Sequence, residues 1–234
     1  MLTGSSLHDE RMRRFKTAGL YLVTSQPLSA GRTTLEIVRA ALAGGVKLVQ
    51  LREKEMTLRE YAALAERVRD LTARAAALMI VNDHVDVALA VGADGVHLGQ
   101  DDFPIPAARR LGPDLIVGAS THSVEEASRA QTEGASYINI GPIFPTGTKQ
   151  WNGKFLGIEG LKRIAAVARI PFTVMGGIKR EHVPELVCAG ARTVALVTTV
   201  TAAPDPCRAV AELLATLREA ARGGVSGKGS LLSD

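Results

Sequence analysis

Four glycine junctions, Gly44-Gly45, Gly92-Ala93, Gly134-Ala135 and Gly190-Ala191, each close an amphipathic stretch and precede a short β-branched run. A glycine in the left-handed cap ends a helix and turns the chain into the next strand, so the four junctions read as copies of one β/α unit. The strand-like runs are Leu20–Thr24, Leu48–Arg52, Leu78–Asn82, Gly95–Leu98, Ile116–Ser120, Tyr137–Ile140, Phe172–Met175 and Val194–Val197. Most are apolar almost throughout, as expected of parallel strands covered on both faces. Amphipathic stretches such as Thr57–Ala76, Val124–Gln131 and Gly157–Ala168 alternate with them. Thr57 with Glu60, and Ser123 with Glu126, have capping-box spacing and predict two helix starts. Eight strands alternating with about eight helices in 234 residues match an α/β fold of the TIM-barrel, (β/α)8, type. The alternative is a doubly wound open sheet, but no GxGxxG follows the first strand.

This pattern predicts one barrel domain over residues 19–221. Residues 1–18 are expected to form an N-terminal extension, with a short helix plugging the barrel bottom. Residues 222–234, rich in Gly and Ser, are expected to be a disordered tail. Cys188 and Cys207 are too few for a disulfide scaffold and lack metal-site spacing. No apolar run reaches membrane-span length and the N-terminus lacks a signal-peptide pattern, so the expectation is a reduced, cytoplasmic enzyme without a membrane partner. The net charge of +4 is scattered along helical faces, and aromatics make up only 4%. That is too sparse for base-stacking platforms, which argues against nucleic acid; small anionic substrates suit the charge.

In such a barrel, reactive residues follow each strand at the C-terminal face. After the second strand, alternation turns Gln50, Arg52 and Lys54 the same way. An amide, a guanidinium and an ammonium together suit a polyanion such as diphosphate; a solvated basic loop, with Glu53 and Glu55 as surface partners, is the other reading. Asn82-Asp83 ends the third strand and His97-Leu98-Gly99-Gln100-Asp101-Asp102 the fourth. Neighbouring strands lie about 4.8 Å apart, so carboxylates from these two ends can share a cation. Hard oxygen ligands without a His or Cys pair point to Mg²⁺. Asp102, ahead of Phe103-Pro104, can equally be a helix cap.

Ser120 would face the pocket after the fifth strand. His122 reads either as a general base or as an ordinary polar loop histidine, with no Asp or Glu evidently placed to orient it. The loop from Gly141 carries Thr146, Gly147, Thr148 and Lys149, a pattern for a phosphate clasp or lid. Gly176-Gly177 after the seventh strand and Val197-Thr198 after the eighth fit a backbone phosphate site.

In order along the chain, QLREK, VNDHVDVALAVGADGVHLGQDD, GASTHS, GPIFPTGTK, MGGI and ALVTTV resemble the thiamine-phosphate synthase family over residues 20–215. The resemblance implies a transferase of thiamine biosynthesis. It would join 4-amino-2-methyl-5-(diphosphomethyl)pyrimidine to 4-methyl-5-(2-phosphoethyl)thiazole and release diphosphate. It further implies that Gln50, Leu51, Arg52, Glu53, Lys54, Asn82, Ser120 and Lys149 bind the pyrimidine diphosphate, with Arg52, Lys54 and Lys149 acting on the leaving group. Asp83 and Asp102 would hold Mg²⁺. Thr146, Gly147, Thr148, Gly177, Val197 and Thr198 would hold the thiazole phosphate. The competing readings are a thiazole tautomerase-like barrel, in which His122 would matter, and a non-catalytic thiazole phosphate-binding barrel. A homo-oligomer is compatible with all three.

Overall fold

The computed structural model describes residues 6–147 and 153–226. Eight parallel strands close into one barrel in chain order: β1 Leu20–Val23, β2 Leu48–Leu51, β3 Leu78–Asn82, β4 Gly95–Leu98, β5 Ile116–Thr121, β6 Tyr137–Ile140, β7 Phe172–Val174 and β8 Thr193–Leu196. Closure is a β8–β1 pairing in which Leu20, Tyr21 and Leu22 face Val194, Ala195 and Leu196. The helices are α1 Leu7–Lys16, α2 Thr34–Ala43, α3 Leu58–Arg74, α4 Val85–Ala90, α5 Ile105–Leu111, α6 Val124–Thr132, α7 Gly157–Ala165, α8 Val183–Cys188, α9 Thr198–Thr201 and α10 Pro206–Ser226. The fold is a (β/α)8 TIM barrel.

Strand alternation divides the apolar residues into two layers. Leu22, Val49, Leu51, Val81, Val96, Val117, Ile138 and Leu196 point outward and pack under the helices. Tyr21, Val23, Leu48, Ile80, Ile116, Tyr137 and Ala195 point into the barrel. A fully buried side chain of this size contributes about 1.5–3 kcal/mol, and the outer cluster holds more of them than the interior one.

Helix α1 seals the bottom. Ser6 caps it by accepting from Asp9 N, and its Met12 and Phe15 join the interior cluster. The Phe15 ring lies 4.4 Å from that of Tyr137. Buried Asp94 ties the same end together, accepting from Met79 N and pairing with Arg11 and Arg69. Thr57 and Glu60 form the expected capping box. Helix α10 packs on α8 and α2 and runs on to Ser226, so residues 222–226 are helical where a tail was expected. Residues 227–234 lie outside the described residues. Among the described residues, no helix is long and apolar enough to cross a membrane.

Candidate active site

The ends of β2, β3 and β4 bring three charged groups together. Lys54 Nζ pairs with Asp83 Oδ2, and the carboxyls of Asp83 and Asp102 share a hydrogen bond. Asp83 has φ of +63°, a left-handed turn that Asp tolerates better than most residues, and its N–H donates to the His97 carbonyl. Asp102 accepts from Gly99 N at 2.7 Å within its own turn, while α5 starts at Ile105 with Pro104 at its N-cap. Asp102 is therefore not the cap of α5.

Burial opposes charge on Asp83, but hydrogen bonds from Asp102 and Lys54 prevail and hold its carboxyl below the usual range. Burial and the Asp83 carboxyl push Asp102 the other way, up. Two neighbouring carboxyls disfavour a second negative charge, and here that penalty falls on Asp102. Among the described residues no group of three His, Cys, Asp or Glu is poised around a metal. Two adjacent carboxyl groups with hard oxygens nevertheless fit Mg²⁺, which commonly takes one or two carboxylates and completes its shell with substrate phosphate.

Gln50, Asn82 and Ser120 occupy inward positions lower in the mouth. Gln50 is buried and donates from Nε2 to Tyr21 Oη at 2.7 Å. Tyr21 and Tyr137 hydroxyls lie 2.9 Å apart, Tyr137 Oη lies 2.9 Å from His97 Nδ1, and His97 Nε2 lies 3.0 Å from Ser120 Oγ. Burial drives the His97 pKa down to about 4, so the ring is neutral. Asn139 is held separately, its Oδ1 accepting from Thr173.

A cavity of about 490 Å³ opens beside these groups and extends to the ends of β7 and β8. Arg52 and Ser120 line it on one side, Thr146, Gly147, Gly177, Val197 and Thr198 on the other, with Met175, Ile178 and Ala195 as apolar wall. Gly177 has φ of +62°, and a Cβ there would run into the carbonyl oxygens of Phe144 and Pro145. The glycine is thus what lets the β7 loop lie against the β6 loop. Val197 starts the single turn α9, whose first N–H groups have no partners within the turn. Thr148 and Lys149 lie outside the described residues.

Two sequence expectations need correction. The Leu51 side chain is buried in the outer layer under the helices, and Glu53 turns away to accept from Gln26 N and Thr34 Oγ1. Glu53 borders a separate hollow of about 510 Å³ with Gln26 and Arg32. The alternation that turns Arg52 inward turns both neighbours outward, so neither side chain reaches the mouth. His122 does have an orienting carboxylate: Glu126 Oε2 accepts from its N–H and lies 2.8 Å from its Nδ1. Ser123 caps α6 as expected, but Glu126 spends its carboxylate on His122. Tyr21, His97 and Tyr137 went unassigned in the sequence; their shared inward parity was the available signal.

The sequence model of the thiamine monophosphate synthase family matches residues 20–200. The chain belongs to this family. A thiamine-phosphate synthase of Moorella thermoacetica is 46% identical over 195 residues, covering 83% of this chain and 93% of that protein. One from Caldicellulosiruptor saccharolyticus is 39% identical over 212 residues, covering 90% and 96%. The solved thiamine phosphate pyrophosphorylase from Pyrococcus furiosus superposes with a TM-score of 0.81 at 38% identity, covering 89% of this chain and 98% of that one. A 3-hexulose-6-phosphate synthase, at 20% identity and a TM-score of 0.64, shares the fold alone. As a member of the thiamine monophosphate synthase family the chain is an enzyme, a transferase of thiamine biosynthesis.

Proposed function

We propose that this enzyme condenses 4-amino-2-methyl-5-(diphosphomethyl)pyrimidine with 4-methyl-5-(2-phosphoethyl)thiazole to give thiamine phosphate and diphosphate. The observation that carries this reading is the pairing of two unlike anion sites around one cavity. Arg52, two residues before the Lys54 that pairs with Asp83, lines the cavity on one side, and the Gly177 and Val197-Thr198 backbone lines it on the other. A barrel handling a single monophosphate has no need of the first.

Arg52 and Lys54, with Lys149 from the β6 loop, would hold the diphosphate and stabilise the charge that builds on it as its C–O bond breaks. Gln50, Asn82 and Ser120 would orient the pyrimidine, while Thr146, Gly147, Thr148, Gly177, Val197 and Thr198 hold the thiazole phosphate. Asp83 and Asp102 would hold Mg²⁺, which when bound supplies charge neutralisation to the departing diphosphate. The thiazole nitrogen forms the new C–N bond with its lone pair and has no proton to lose. The protein therefore needs no catalytic base, and its contribution is positioning, electrostatics and the apolar wall that limits water.

Incubating the protein with both substrates, with and without Mg²⁺, tests the reading. Equal, Mg²⁺-dependent release of thiamine phosphate and diphosphate is expected; failure to form either overturns it. The His122–Glu126 pair at the cavity favours a second reading, isomerisation of a thiazole phosphate alone. Turnover of the thiazole phosphate without the pyrimidine in the same assay would select it.

A further inference from the structure

Two residues assigned to the pyrimidine, Gln50 and Ser120, are the ends of one unbroken hydrogen-bonded chain through the barrel, Gln50–Tyr21–Tyr137–His97–Ser120. The three middle residues are buried and belong to neither anion site. Gly118 makes room for this chain, since a Cβ there would collide with the Tyr137 ring. Phe15 of α1 packs against the same ring from below.

We infer that Tyr21, Tyr137 and His97 are positioning residues that fix hydrogen-bond direction, so that Ser120 offers its O–H and Gln50 its carbonyl oxygen to the substrate. The Gln50 amide faces Tyr21 with its Nε2, and the count of hydrogens starts from there. An amide nitrogen can only donate, so the Tyr21 oxygen accepts from Gln50 and its own hydrogen goes to Tyr137. The Tyr137 hydrogen then goes to His97 Nδ1. A neutral ring has one proton left to place, on Nε2, which donates to Ser120 Oγ and frees the serine hydrogen. Four links take four hydrogens. An imidazolium would reverse the middle of the chain and strand the Tyr21 hydrogen in the interior without an acceptor, which is costly.

A donor and an acceptor so fixed complement an aminopyrimidine, whose ring nitrogen accepts and whose exocyclic amine donates. A 4-oxo pyrimidine bearing N–H offers the reverse pattern and meets two mismatches. Sites that hydrogen-bond their substrate reject a partner lacking the match far more strongly than apolar pockets do. The chain thus selects the amino over the oxo pyrimidine, an inference that rests on the proposed role of Gln50 and Ser120.

Two measurements test it. A long-range ¹H–¹⁵N spectrum of the histidine-labelled full chain, with His97 assigned by loss of its signal in His97→Gln, should show the Nε2–H tautomer. The Nδ1–H tautomer would overturn the inference; this reading needs no substrate and stands apart from the proposed reaction. Second, kcat/KM for the aminopyrimidine diphosphate should exceed that for its 4-oxo analogue by roughly hundredfold or more, two lost hydrogen bonds' worth. Tyr137→Phe should narrow that ratio by roughly tenfold, and Tyr21→Phe serves if that variant does not fold. A ratio unmoved in a folded variant assigns the tyrosines to packing alone and sinks the positioning role.

Discussion

His97 Nδ1 lies 2.9 Å from the hydroxyl of Tyr137, and its Nε2 lies 3.0 Å from Ser120, so both ring nitrogens are engaged where water scarcely reaches. Burial, with Arg52 assisting and Asp102 opposing, lowers the His97 pKa from 6.5 to about 4. Between those values the unfolded chain binds a proton that the folded protein refuses, so stability rises with pH across the window and is lost as pH falls through it. The full swing is on the order of 3 kcal/mol. Urea midpoints measured from pH 7 to 4 should therefore fall more steeply for the natural protein than for His97→Gln. Parallel slopes would mean that the ring takes up a proton in the fold at no cost.

Asp83 and Asp102 should respond differently to the same change. Burial and the neighbouring Asp83 raise the Asp102 pKa, so charge at this position is disfavoured and Asp102→Asn gives up little. Without Mg²⁺ its stability should stay within about 0.5 kcal/mol of the natural protein. Asp83→Asn removes the partner of Lys54, a half-exposed ion pair worth about 1 kcal/mol or less after solvent screening. In both variants the Mg²⁺ concentration for half-maximal rate should rise, and turnover should drop roughly hundredfold. Full turnover at unchanged Mg²⁺ in either variant would remove that residue from the metal site.

Period-two alternation made much of the site legible: it turns Gln50, Arg52, Asn82 and Ser120 to one side of their strands, and the strand ends supply Asp83 and Asp102. The same rule excludes Leu51 and Glu53, which entered only because they sit inside the QLREK motif. Glu126 was read as part of a capping box because it stands three residues after Ser123. A carboxylate there can reach the N–H of the residue before the cap as readily, and the choice falls to the position of the His122 ring. The Tyr21–Tyr137–His97 contacts depend on barrel closure, which brings β1, β4 and β6 side chains across the interior. No local pattern encodes those distances.

Glu53 and Arg52 are sequence neighbours with opposite expected phenotypes. Glu53 anchors the loop after β1 through Gln26 N at 2.8 Å and Thr34 Oγ1 at 2.7 Å. Hydrogen bonds to a charged group contribute about 1.5–3 kcal/mol, so Glu53→Ala should lose about that much stability. Its KM for the pyrimidine diphosphate should stay within roughly twofold, since its side chain faces away from the cavity. Arg52→Ala should do the converse, keeping its thermal midpoint while kcat/KM falls by roughly hundredfold. Denaturation curves and steady-state kinetics on the two variants settle the assignment; a rate loss in Glu53→Ala matching that of Arg52→Ala would contradict the outward orientation.

Gly177 and Gly157 provide a matched pair for the phosphate end of the cavity. Both are left-handed, with φ of +62° and +58°. An Ala at either position incurs the same backbone strain, about 1 kcal/mol. Only Gly177 adds a collision, because its Cβ would meet the carbonyl oxygens of Phe144 and Pro145, whereas Gly157 has nothing within 4 Å. Relieving that clash displaces the loop bearing Thr146 and Gly147, both cavity residues. Gly177→Ala should therefore raise KM for the thiazole phosphate by roughly tenfold or more while KM for the pyrimidine diphosphate changes little. Gly157→Ala should lose about 1 kcal/mol of stability and leave both constants alone. If the two variants raised the thiazole constant alike, backbone strain alone would be responsible and the close approach of the β6 and β7 loops would not matter for binding.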